Sequence, residues 1–124
     1  MPIAEPTKSG ESSIRVSESE GGVRVLLSGR VSIDSSPAIR DRLMEVLSRK
    51  ILPTLTIDLA EVSYIDLSGI ATLLEALKIS HGRHTLLQLS RLHSRPRYLL
   101  EATGLLSFFE TNGRVINSPA SEVL

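Results

Sequence analysis

The clearest alternation of apolar and polar positions runs from Leu55 to Leu77. Leu55, Ile57 and Leu59 alternate with the polar Thr54, Thr56 and Asp58. Period two predicts a strand over Thr54 to Leu59 with one buried side, and Asp58 leads out of it. Ile70, Leu73, Leu74 and Leu77 then recur at i, i+3, i+4 and i+7, which places them on one face of a helix. Ser68 stands just before that face, where a hydroxyl can accept from an unpaired N–H of the first turn. The helix is expected to begin there with Ser68 as its cap, and Asp66 is a second candidate for capping it.

The flanking chain repeats the alternation. Ile14 and Val16, then Val23, Val25 and Leu27, are separated by Glu20-Gly21-Gly22, which predicts a β-hairpin whose second strand ends at Gly29. Asp34-Ser35-Ser36-Pro37 offers caps and a proline that a first helical turn tolerates, so a helix follows with Ile39, Leu43, Val46 and Leu47 inward. Past the central helix, His81-Gly82 reads as a stop with glycine in the left-handed conformation. A strand is expected over His84 to Leu89. Ser94 and Pro96 open a further helix with Tyr98, Leu99 and Ala102 in the core and Gly104 at its end. Leu105 to Phe109 is expected to be a turn and an edge strand. The sum is an α/β fold, a mixed β-sheet of four to five strands with an N-terminal hairpin and helices packed against it. One domain over residues 13–116 is expected, with a flexible arm over 1–12 and a flexible tail over 117–124, both poor in residues to bury.

Composition narrows the function. The 124 residues carry 14 basic and 14 acidic side chains, so no net field draws the chain to nucleic acid or an anionic membrane. Cysteine is absent, which removes disulfides and thiolate chemistry. No apolar run reaches the roughly 20 residues of a membrane span, and the opening MPIAEPTKSGESS lacks the basic and apolar regions of a secretory signal. A cytoplasmic protein without direct membrane insertion is expected.

Catalytic patterns are missing. Ser68-Gly69 lacks the preceding glycine of a nucleophile elbow, and neither glycine-rich nucleotide fingerprint occurs. His81, His84 and His93 are the only imidazoles, with no carboxylates beside them, so no metal and no cofactor is expected. Arg91, Arg95 and Arg97 around His93 form a basic cluster that can grip an anion, since guanidinium groups bond phosphates and carboxylates in pairs. The plainer reading is a solvated loop and helix start. The expectation is a binding protein, not an enzyme.

One resemblance gives that expectation content. The run Val62-Ser63-Tyr64-Ile65-Asp66-Leu67-Ser68-Gly69-Ile70 into a leucine-rich helix resembles the signature of STAS domains, the anti-sigma factor antagonists of bacteria and their relatives attached to membrane transporters. Leu26-Leu27-Ser28-Gly29-Arg30-Val31 is similar to the family's second strand and turn, and Thr103-Gly104-Leu105 to its late helix end. The resemblance spans Ser13 to Glu110. It implies a protein-binding module that captures an anti-sigma factor, or a related serine kinase, and so releases a sigma factor. Alternatively it implies a cytoplasmic STAS subunit among transporter subunits, such as an ABC lipid transport system. It further implies a partner surface of Ser32, Asp34, Ser35, Asp66, Leu67, Ser68, Gly69 and Ile70.

Two letters depart from the antagonist pattern. The serine that a partner kinase phosphorylates is matched here by Leu67, which has no hydroxyl, leaving Ser68 as a displaced phosphoacceptor. An aspartate that helps engage the kinase is matched by Ser32. Both departures imply binding without phosphorylation at the usual position, either to a partner held constitutively or to one other than a sigma-regulating kinase.

Overall fold

The computed structural model describes residues 12–19, 21–49 and 52–116. Nearly all of the arm expected over residues 1–12, and the whole tail expected over 117–124, lie outside the described residues. The elements run β1 (Ser13–Ser19), β2 (Gly22–Val31), α1 (Ser36–Leu47), β3 (Thr54–Ile65), α2 (Leu67–Gly82), β4 (Leu86–Ser90), α3 (Ser94–Ala102), α4 (Leu105–Asn112) and β5 (Arg114–Ile116). The five strands form one mixed sheet in sequence order. β1 and β2 are the antiparallel hairpin, and every later pair is parallel.

Alternation along the strands sorts the sheet into two faces. Val23, Val25 and Leu27, with their neighbours Leu55, Ile57, Leu59, Leu87 and Leu89, join Ile39, Leu43, Val46, Leu47, Ile70, Leu73 and Leu77 in one buried cluster under the helices. Positions pointing the other way are mostly polar: Arg24, Thr56, Asp58, Gln88 and Ser90 cluster across β2, β3 and β4, with Leu26 and Leu86 on the same face. At the centre of that face Asp58 is only 1% exposed. Its carboxylate accepts from Arg24 Nη2 at 2.9 Å, from Arg91 Nε at 3.2 Å and Nη2, and from the Ala60 amide at 2.9 Å. Burial pushes its pKa up, but the Arg91, Ala60 and Arg24 hydrogen bonds outweigh burial and hold it below the usual carboxylate range.

Several boundaries differ from expectation. Asp58 does not lead out of β3, which continues to Ile65 through two register shifts against β2. The Ala60 amide in the first shift turns to the Asp58 side chain, as β-bulges require of residues displaced from the ladder. Gly29 likewise does not end β2: it lies at the second shift with φ +81°, and the strand ends at Val31. At the end of α2 the left-handed residue is His84, at φ 61°, not Gly82, because Gly82 is still helical and the helix closes at the next residue, with Arg83 N–H donating to the Ile79 and Ser80 carbonyls. In α3 the inward residues are Pro96 and Leu100, with Leu99 half-buried, so Tyr98 and Ala102 face outward. Leu105 to Phe109 belongs to helix α4, started by Gly104 at φ +78°, and the short edge strand follows it. No helix among the described residues is long and apolar enough to cross a membrane.

Candidate functional site

The β2–α1 loop and the start of α2 meet at the C-terminal ends of β2 and β3. Asp66 makes the junction. Its amide donates to the Val31 carbonyl at 3.2 Å, and its side chain caps α2, with Oδ1 accepting from the Ser68 amide at 3.0 Å and the Gly69 amide at 3.2 Å. Oδ2 accepts from the Ile33 amide at 3.2 Å, across 33 residues of sequence. One carboxylate therefore satisfies orphan donors of a helix and clamps a neighbouring loop to it. Burial pushes the Asp66 pKa up, and the Ser68 hydroxyl with the Gly69, Ile33 and Ser68 amides brings it below the usual carboxylate range.

Ser68 is consequently not the cap. It is the second residue of α2, and its hydroxyl donates to Asp66 Oδ1 at 2.6 Å. The Ser36 hydroxyl lies 3.3 Å away, joining the first turns of α1 and α2. Ser68 is half-buried, held by a carboxylate and a second hydroxyl. The Ser32 to Ser35 loop is closed by its own bonds: Ser35 Oγ accepts from the Ser32 amide and donates to the Arg30 carbonyl, each at 2.9 Å. Ser35 precedes α1 without capping it through its side chain.

Two large apolar side chains are exposed at this pole. Leu67 is 62% exposed at the first position of α2, and Ile33 is 71% exposed on the loop that Asp66 holds against it. Asp34 is exposed beside Ile33. Gly69 and Ile70 are buried and shape the surface from beneath. A Cβ built on Gly69 would stand 2.6 Å from Ile65 Cγ1, 2.8 Å from Val31 Cγ1 and 2.9 Å from the Val31 carbonyl oxygen. Only glycine lets α2 start this close to the strand ends.

The three arginines of the basic cluster go separate ways. Arg91 bonds Asp58, Arg97 lies 3.6 Å from Glu101, and Arg95 donates to the Ile65 carbonyl at 3.1 Å. Arg95 also lies over the Tyr64 ring at 4.6 Å, and Arg30 over the same ring at 4.0 Å. A cationic pair thus sits directly beside the Asp66 junction. His93 Nε2 is 3.1 Å from the Leu59 carbonyl, and His81 and His84 are exposed. Among the described residues no three metal-binding side chains come together.

Sequence reasoning singled out Asp66, Leu67 and Ser68, took Ile33 and Ser36 only as part of the Ser32 to Ser36 turn, and gave Arg30 and Tyr64 no role of their own. Ile33 left a signal, a lone apolar residue in a polar turn. The arginine pair on Tyr64 left none, because Arg30, Tyr64 and Arg95 come from separate segments.

Comparison with known proteins shows the family and the fold. A family model described as "Mlab, STAS domain" matches residues 14–109. The chain is 25% identical over 101 residues to the anti-sigma-B factor antagonist of Bacillus subtilis strain 168, covering 82% of this chain and 91% of that one. An anti-sigma factor antagonist from Mycobacterium paratuberculosis superposes with a TM-score of 0.78 at 19% identity, over 94% of each chain. A sulfate transporter family protein from Wolinella succinogenes gives 0.64 at 24% identity, over 81% of this chain and 80% of that one. With the family model covering most of the chain, and with a hairpin-led mixed sheet carrying the Asp66 junction at its strand ends, this chain belongs to the STAS domain family.

Proposed function

We propose that the chain is a regulatory binding module that captures an anti-sigma factor through the pole formed by Ile33, Asp34 and Leu67, and that it does so without a phosphoryl switch at the usual position. The observation that carries this reading is Leu67, 62% exposed at the first position of α2. An exposed leucine beside an exposed isoleucine offers burial to a partner and nothing to a kinase. Similarity to the Bacillus antagonist supplies the partner class. Ser68 serves the fold first, since its hydroxyl is engaged by Asp66 and Ser36. Phosphorylating it would bring a dianion against the Asp66 carboxylate, an opposed step despite the helix N-terminus. In this reading the module binds and performs no catalysis.

Burying a leucine or isoleucine stabilises a complex by about 1.5–3 kcal/mol. Replacing either Leu67 or Ile33 with aspartate should therefore weaken binding to the cognate anti-sigma factor by at least about tenfold. Calorimetric titration of that protein with the wild-type chain, Leu67→Asp and Ile33→Asp tests this. Equal affinities for all three chains would remove this pole as the docking surface. Leu67→Ser should create a hydroxyl that the partner kinase labels better than any residue of the wild-type chain.

A second reading makes the same pole a permanent contact to transporter subunits in the cytoplasm. Its support is the similarity to the Wolinella sulfate transporter family protein, together with the missing hydroxyl at position 67, which suits a contact that is never switched off.

A further inference from the structure

We propose that the pole opposite the Asp66 junction holds a second and independent site, for a phosphate monoester. A cleft of about 460 Å³ opens there, lined by Arg49, Leu52, Pro53, Arg83, His84 and Thr85. Its nitrogen-bearing side chains come from two helix ends: Arg49 follows α1, and Arg83 and His84 follow α2. Arg83 Nη2 donates to the Arg49 carbonyl at 3.3 Å, which ties the two ends together. His84 adopts φ 61°, the left-handed conformation of the residue just beyond the α2 C-cap, which fixes where its side chain leaves the chain.

The chemistry of the lining selects the ligand. Two guanidinium forks and an imidazole present more N–H donors, in more directions, than the two oxygens of a carboxylate can meet. The three terminal oxygens of a phosphate ester can accept from the N–H donors that remain once Arg49 Nη1 is given to Glu18 and Arg83 Nη2 to the Arg49 carbonyl. The cleft exceeds a bare phosphate and continues past Leu52 and Pro53 into a second hollow of about 320 Å³, bounded by Gly21, Gly22 and Val23. That mixed polar and apolar hollow gives the organic body of the ester room beside the phosphate. Glu18 stands at the far edge with its carboxylate 2.7 Å from Arg49 Nη1, where it orients that arginine and competes for it.

Complementing the helix C-termini would occupy the same cations with no ligand at all. The two roles separate by experiment. Phenyl phosphate is titrated into the ¹⁵N-labelled full chain, with vesicles containing phosphatidic acid as a parallel arm. Saturable shifts of the Arg83, His84, Thr85 and Val23 amides are expected. Arg83→Gln should weaken binding by about tenfold, the loss of a charge-assisted hydrogen bond, and Glu18→Gln should tighten it by freeing Arg49. Arg83 and Glu18 are exposed, and unchanged melting curves verify that both variants fold. Tighter binding to soluble ester assigns the site to a free metabolite, and tighter binding to vesicles assigns it to a lipid headgroup. Shifts that grow without saturating, or that Arg83→Gln leaves unchanged, overturn the site. The outcome is independent of any anti-sigma partner, since the two poles share no residue.

Discussion

The same substitution at the two ends of α2 should have opposite signs. At Gly69 a methyl group would meet Ile65 Cγ1, Val31 Cγ1 and the Val31 carbonyl oxygen at 2.6, 2.8 and 2.9 Å. Two of these neighbours are side chains of buried β-branched residues, and the third is backbone, so the helix start itself must retreat. Retreat strains the Asp66 N–H bond to the same Val31 carbonyl, now 3.2 Å. Overpacking of this kind costs about 1–3 kcal/mol, against which alanine returns up to about 1 kcal/mol over glycine in a helix. The steric term wins, and Gly69→Ala should destabilise the domain by about 1–2 kcal/mol, a fall in Tm of about 5–10 °C at this size. At Gly82 nothing lies within 4 Å and φ is not positive, so Gly82→Ala should stabilise by about 0.4–1 kcal/mol through the unfolded chain. Thermal melts followed by circular dichroism at 222 nm read both. A Gly69→Ala chain as stable as wild type would refute the close approach of α2 to the strand ends.

Three further outcomes follow from the Asp58 and Asp66 carboxylates and the core. Asp66→Ala removes the α2 cap and the clamp on Ile33 together, so it should cost about 1–2 kcal/mol, read by urea denaturation, and should also weaken partner binding; a loss of neither would deny the junction its role. Asp58 and Asp66 have folded pKa values below their ordinary 3.8, so their stabilisation is complete above that value and is lost as pH falls through the lower, folded one. Asp58→Asn should flatten the acid limb of the stability curve, and an unchanged limb would show that the Arg24 and Arg91 bonds are not ionic in solution. Leu73 is 1% exposed, and Leu73→Asp places an unpaired charge in the core; it should abolish the cooperative melt, whereas Leu74→Asp, at a half-buried position, should be milder.

How far these features could be read in advance depended on their range along the chain. The hairpin, α1 and α2 carry strong periods of 2 or 3.6 over enough residues, and Ile39, Leu43, Val46, Leu47, Ile70, Leu73 and Leu77 are all in the core. α4 was illegible because four apolar residues around Ser107 carry too little period to separate helix from strand. The continuation of β3 past Asp58 depends on two bulges against β2, and bulges belong to a pairing, not to one strand. Asp58 illustrates the point. Its partners Arg24 and Arg91 lie 34 and 33 residues away, so nothing local marks it as a buried ion. At the site, the order of residues around Asp66 was legible, while its reach to Ile33 and the arginine pair on Tyr64 were not, being contacts between segments.

The most direct test of the docking pole is an affinity capture from native cytoplasm with the tagged wild-type chain and Leu67→Asp side by side, reading bound proteins and the phosphorylation state of the bait in one mass-spectrometry run. The wild-type chain should recover an anti-sigma factor that Leu67→Asp does not, with Ser68 unmodified. Recovery of the anti-sigma factor by both baits, or phosphate on Ser68 of the wild-type chain, would contradict constitutive docking through Leu67.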